Sequence, residues 1–182
     1  MDNGSSSYNR FLKGDDKGLE DLVSLFSKNL TYFIFGFVKS YAAAEDIMLD
    51  SFAEIVIYKN RYKDLSVFKT YLYRIARNKS IDYIRKNYKC VSLNAEAEAT
   101  IVDKDIEETF LKTERDKQIG LAVFKLHSDY REIITLIYYN GMSVDEAAEI
   151  LNVNKKCVYN LLARAKLALK SLLEKEGINE NL

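Results

Sequence analysis

The chain has 182 residues, 48% of them hydrophobic, 27 basic residues balanced by 27 acidic ones, seven glycines and no proline. That suits one ordinary domain or two small ones, excludes wholesale disorder and makes helix the default. A single histidine excludes paired-histidine zinc and haem sites and di-iron helices, and Cys90 and Cys157 lie too far apart in sequence for a CxxC pair, which fits a reducing cytoplasm. No GxGxxG, GxxxxGK[ST] or GxSxG motif occurs, and the most apolar run, Leu30 to Val38, is far short of the roughly 20 residues that span a bilayer. No catalytic constellation, metal, cofactor, secretory leader or membrane insertion is therefore expected.

In chain order, residues 1–7 read as a disordered start. Leu19, Leu22, Val23, Phe26, Leu30, Phe33, Ile34 and Phe37 then draw one stripe on a long amphipathic helix. Ile47 to Tyr58 predicts a second helix. The third carries Phe68, Leu72, Ile75, Ala76, Ile81 and Ile84 inward and is entered from a loop at 62–67. Between Lys69 and Lys89 seven basic residues face one acid, whereas between Cys90 and Gln118 eight acids face four basic residues. The charge therefore divides the chain into a helical module at 8–89, an acidic flexible linker at 90–117, a second basic module at 118–176 and a tail at 177–182.

The second module has clear punctuation. Ser143-Val144-Asp145-Glu146 is a capping box, so a helix starts there with Ala147, Ala148 and Leu151 inward. Asn152 tolerates the left-handed turn that ends it, and Val153 is expected to plug that turn. Asn154 caps the next helix, which turns Val158, Leu161, Leu162, Ala165, Leu169 and Leu172 inward. Two short helices across a tight turn make a helix-turn-helix.

Phe68-Lys-Thr-Tyr-Leu-Tyr-Arg-Ile-Ala-Arg-Asn-Lys-Ser-Ile-Asp-Tyr-Ile-Arg-Lys86, Ala44-Glu-Asp-Ile-Met-Leu-Asp-Ser-Phe52 and Gly141-Met-Ser-Val-Asp-Glu-Ala-Ala-Glu-Ile-Leu-Asn-Val-Asn154 resemble long motifs of the extracytoplasmic-function (ECF) sigma factors, the small two-domain branch of the sigma-seventy family. The resemblance implies an all-α fold with a sigma region 2 bundle and a region 4 helix-turn-helix. It further implies binding to core RNA polymerase, opening of the −10 element by region 2, reading of the duplex −35 element by region 4, and control by an anti-sigma protein wedged between the modules. Catalysis would belong to the polymerase. Tyr71 stands where the family has Trp, and Tyr159-Asn160-Leu161 where it commonly has Lys-Ser-Arg, so no promoter sequence is implied.

The site residues follow from resemblance and chemistry together. Asp46, Asp50 and Phe52 are candidates for binding core polymerase. Phe68, Lys69, Tyr71, Arg74, Arg77, Asn78, Asp82 and Arg85 are candidates for the −10 element, because aromatic faces stack on unpaired bases while arginine and lysine hold phosphates. Asn78, Asp82 and Arg85 share one face, where the amide suits a base edge and Asp82 could instead orient Arg85. Lys155, Lys156, Tyr159, Asn160 and Arg164 are the outward set of the recognition helix, the candidates for −35. The plain alternative for each set is a solvated helix face over core aromatics. Two rival functions remain: a helix-turn-helix regulator with a helical sensing domain, and a sigma-like interaction adaptor without DNA recognition.

Overall fold

The computed structural model describes residues 4–59, 68–91 and 114–177. Every regular element among them is helical: α1 (Ser5–Leu12), α2 (Lys17–Val38), α3 (Tyr41–Ile57), α4 (Phe68–Val91), α5 (Glu114–Lys125), α6 (Ser128–Ile134) running on into a π turn (Thr135–Tyr139), α7 (Val144–Leu151) and α8 (Lys155–Lys175). The all-α expectation holds. The loop at 62–67 and residues 92–113 of the expected linker lie outside the described residues.

The first module is α1 to α4. Helix α1 starts at Ser5, ahead of the expected boundary at residue 8, and buries Tyr8 and Phe11. It crosses α2 at Gly18, where a Cβ would meet the Ser7 carbonyl oxygen at 2.4 Å and the Phe11 nitrogen at 2.6 Å. Only a residue without a side chain permits that approach. Along α2 the expected stripe is inward, with Leu22, Phe26, Leu30, Phe33 and Ile34 buried. In its last turns Thr31, Tyr32 and Phe35 are buried as well, so this end is enclosed on all sides. Helix α3 begins before the expected Ile47, because the Ser40 hydroxyl caps it by accepting from the Ala43 N–H at 3.4 Å. Helix α4 lies against α2 and α3 with Phe68, Leu72, Ile75 and Ala76 buried, while Ile81 and Ile84 are half-buried.

The second module is α5 to α8. The capping box is complete: the Ser143 hydroxyl accepts from the Glu146 N–H at 3.2 Å, and the Glu146 carboxylate accepts from the Ser143 N–H at 2.7 Å. Asn152 ends α7 at φ 55, in the left-handed region, and Asn154 caps α8 by accepting from the Cys157 N–H at 2.8 Å. Val153 does not plug the turn; it is 43% exposed. Its backbone N–H closes the turn by donating to Ala148 O at 3.0 Å, and Ile150 supplies the buried side chain instead. Leu169 and Leu173 of α8 border an open apolar groove of about 580 Å³ with Ile119, Val123, Tyr138 and Leu167.

The two modules touch each other directly. Helix α4 packs on α7, and the end of α2 packs on α6 and the π turn.

Candidate nucleic-acid interface

Helix α4 presents two adjoining stripes, because residues three and four apart share a helix face. Tyr71, Arg74, Asn78, Asp82 and Arg85 form one. Asn78, Asp82 and Arg85 are exposed, and Arg85 stands 3.6 Å from Asp82. Tyr71 is half-buried, with the Arg74 guanidinium 5.8 Å from its ring centre. Thr70, Tyr73 and Arg77 form the other stripe with Lys69 beside them, and it is turned toward the second module. Phe68 belongs to neither: it is wholly buried, its ring 4.7 Å from that of Tyr8 and 5.8 Å from that of Phe26. The −10 candidates are therefore divided between a stripe that is open at Asn78, Asp82 and Arg85 but bound across to the second module at Arg74, a covered stripe and the core.

The covered stripe is held by polar contacts. The Lys69 ammonium donates to the Asn140 carbonyl oxygen, and Tyr73 OH donates to Asn140 Oδ1 at 2.5 Å. Thr70 Oγ1 donates to Glu146 Oε1 at 3.3 Å, Arg74 Nη1 to Glu149 Oε1 at 3.1 Å and Arg77 Nε to Glu132 Oε1 at 2.5 Å. Burial pushes the Glu132 carboxyl above the ordinary carboxylate range, and Arg77 opposes the shift. Burial likewise lowers the Lys69 ammonium, against the pull of Glu146.

On α3, Asp46 and Asp50 are both exposed one turn apart, whereas Phe52 faces the core. Two large apolar residues of the same helix are well exposed, Leu49 at 58%, one turn on from Asp46, and Ile57 at 70%, two turns on from Asp50. Neither was among the candidates. The available signal is positional: both fall off the stripe of Ile47, Met48, Ser51, Phe52 and Ile55 that packs inward.

On α8 all five candidates, Lys155, Lys156, Tyr159, Asn160 and Arg164, are exposed. Lys155 Nζ stands 2.6 Å from Asp145 of α7, and that hydrogen bond raises the lysine above its ordinary value. Two cations, an aromatic and an amide at the start of a helix whose free N–H groups attract anions form a surface suited to a duplex groove.

The Sigma-70 region 2 family model matches residues 10–90, and the Sigma-70 region 4 model matches residues 117–169. The chain is 26% identical over 162 residues to the ECF RNA polymerase sigma factor SigM of Bacillus subtilis, covering 89% of this chain and 98% of that protein. It is 29% identical over 171 residues to the ECF RNA polymerase sigma factor SigW of the same species, covering 88% and 91%. Among solved structures it resembles CnrH in complex with the cytosolic domain of CnrY, with a TM-score of 0.70 at 21% identity over 96% of this chain and 99% of that one. It also resembles the sigma factor RpoE in complex with the anti-sigma factor NepR from Bartonella quintana, with a TM-score of 0.67 at 22% identity over 87% and 98%. The helix-turn-helix joined to a basic, aromatic helix thus defines a two-module transcription initiation factor. The chain belongs to the ECF sigma factors of the sigma-70 family.

Proposed function

We propose that the protein loads onto core RNA polymerase in the cytoplasm, reads the duplex −35 element with α8 and captures an opened −10 strand with α4. Nucleotidyl transfer stays with the polymerase, and no residue of this chain is given a catalytic role. The observation that carries this reading is the pairing of two unlike surfaces on one chain. The stripe from Tyr71 to Arg85 suits an unstacked strand, and the start of α8 suits a duplex. A helix-turn-helix regulator needs only the second surface, and an adaptor needs neither. Asp46 and Asp50 dock the polymerase together with Leu49 and Ile57, since acids rimming apolar side chains fit a basic, partly apolar partner. Phe52 and Phe68 support these surfaces from the core.

In place of the expected boundaries 8–89, 90–117 and 118–176, the first module is taken from Ser5 to Val91 and the second from Glu114 to Lys175. An anti-sigma protein is the proposed regulator, as CnrY and NepR accompany the similar folds. Because the modules already touch, a partner that wedges between them has to part them first.

The test is reconstitution with core polymerase on a promoter recovered from genomic fragments, read by run-off transcription and permanganate reactivity. Wild type starts at one site. Asp46→Lys/Asp50→Lys loses the competition for core enzyme, while Asn78→Ala keeps core affinity and loses −10 reactivity. Specific initiation by neither wild type nor any variant overturns the reading.

A further inference from the structure

Helix α3 carries the acids that dock the polymerase in the proposed function, and α4 carries the stripe that meets the strand. The residue that relates the exit of α3 to the entry of α4 belongs to neither helix but to α1. We propose that Tyr8 is a positioning residue for −10 capture: it ties the two helix ends together and so sets how α4 presents Tyr71 to an opened strand while α3 is docked. The inference rests on the reading of α4 as the −10 helix and deepens it.

Tyr8 is fully buried although it stands in a helix of only eight residues. Its ring and its hydroxyl have different partners. The hydroxyl donates to the Lys59 carbonyl oxygen at 3.2 Å, just past the end of α3 at Ile57. The ring lies 4.7 Å from that of Phe68, the first residue of α4, with the planes tilted by 36°. Phe26 of α2 backs Phe68 at 5.8 Å, so the Phe68 ring is held between α1 and α2. Lys59 is gripped a second time, since its ammonium stands 5.8 Å from the centre of the Phe11 ring. Residues 8 and 11 share a face of α1, and that face thus holds both the backbone and the side chain of Lys59. Gly18 makes it possible by letting α1 lie almost in backbone contact with α2.

The apolar contacts alone need a ring here, and phenylalanine would supply it. A hydroxyl taken out of water is costly unless it is hydrogen-bonded, and this one spends its bond on a backbone oxygen at a helix exit. Carbonyls at the C-terminal end of a helix lack intrahelical donors, so the bond also satisfies an oxygen that the helix leaves open. Because one side chain touches both Lys59 and Phe68, it fixes where the chain leaves α3 relative to where it enters α4. Tyr71 follows Phe68 by one turn and Arg74 follows Tyr71 by another, so a shift at Phe68 moves the stacking residue and the cation beside it. Asp46 and Asp50 lie farther back along α3 and stay with the docked helix.

The experiment compares full-length wild type, Tyr8→Phe and Ile34→Val as holoenzymes on the promoter recovered for the transcription test. Tyr8→Phe removes the hydroxyl and keeps the ring, so the core stays filled. Ile34→Val trims a fully buried residue two turns beyond Phe26 on α2 and serves as the control for a general loss of stability. Permanganate reactivity at −10 is read beside competition for core enzyme, and amide hydrogen exchange is followed in the free chains. Tyr8→Phe should keep wild-type affinity for core enzyme and lose about fivefold in −10 opening. It should also exchange faster at the amides of Leu72 to Ile75, which bond back to the first turn of α4. Ile34→Val should match wild type in both opening and that exchange. Wild-type opening by Tyr8→Phe, an equal loss of opening in Ile34→Val, or unchanged exchange at Leu72 to Ile75 in Tyr8→Phe overturns the positioning role and leaves the promoter reading standing. Failure of wild type itself to initiate overturns the promoter reading, so the two fail distinguishably.

Discussion

Lys155 and Asn160 lie on one exposed helix, yet their substitutions should behave differently. Lys155→Ala removes a phosphate contact, so holoenzyme affinity should fall for all sequences together, with the slope of log K against log salt reduced by about 0.9. Its existing pair with Asp145 moderates the loss, since the lysine leaves a carboxylate to reach DNA. Asn160→Ala should cost about 1–3 kcal/mol at one base pair and leave the salt slope alone. Anisotropy of holoenzyme on the promoter and on single-base variants, across a salt series, distinguishes the two outcomes. The exposed positions of Asp46, Asp50, Asn78, Asp82, Arg85 and the five α8 candidates were legible because motif and charge both mark them, whereas Lys69 and Arg77 carry the same charge and lie covered. Phe52 and Phe68 were not, because a motif aromatic looks the same whether it meets a partner or the core. Leu49 and Ile57 were missed because an apolar residue off the core stripe carries no motif.

At the scale of elements, the α1–α2 crossing depends on one position. Gly18→Ala would put a methyl within 2.4 Å of a backbone oxygen, so α1 must shift; over-packing of this kind costs about 1–3 kcal/mol. Urea unfolding should show that loss of stability in the full chain. Helix α1 itself was illegible because Tyr8 and Phe11 are too few to establish a period in eight residues. The capping box, by contrast, located α7 from four residues, since its reciprocal hydrogen bonds are purely local. The enclosed end of α2 was half-legible. Leu30 to Val38 stands out as apolar, but a single stripe accounts for only part of it. Tyr32 and Phe35 lie off that stripe because they pack against the second module.

For the whole molecule, the contact between modules was the least legible feature, since its residues lie more than fifty positions apart and each looks like an ordinary surface charge or core aromatic. It also has a pH signature. Lys39 keeps an exposed surface, yet its ammonium lies 5.0 Å from the centre of the Phe124 ring, and the loss of water there, aided by Arg131, pushes it down to about 7 from an ordinary value of 10.5. The parted chain therefore binds the lysine proton more firmly than the closed one. Between about pH 7 and 10.5 parting takes up a proton, so closure should strengthen as pH rises through that window. Glu132 acts in the opposite sense at lower pH, because burial raises its carboxyl and protonation relieves the closed state. The population with the modules in contact, read as the short distance between spin labels at Cys157 and at an introduced Ser24→Cys with Cys90→Ser, should grow from pH 7 to 9, and Lys39→Met should flatten the trend. A trend that persists in Lys39→Met would assign it to another group.

The π turn at Thr135–Tyr139 places one more residue between α6 and the helix-turn-helix than an α-helical path would use. Removing a single residue there would return the segment to ordinary winding and take away the wide Asn140 N–H to Thr135 O hydrogen bond, which resets how Asn140 meets α4. The caps of α7 and α8 would remain intact, since they depend on Ser143, Glu146 and Asn154 alone. The contact between the modules and the recognition helix are thus separately heritable: one codon lost or gained in this segment changes how Asn140 meets α4 and leaves the start of α8 unchanged.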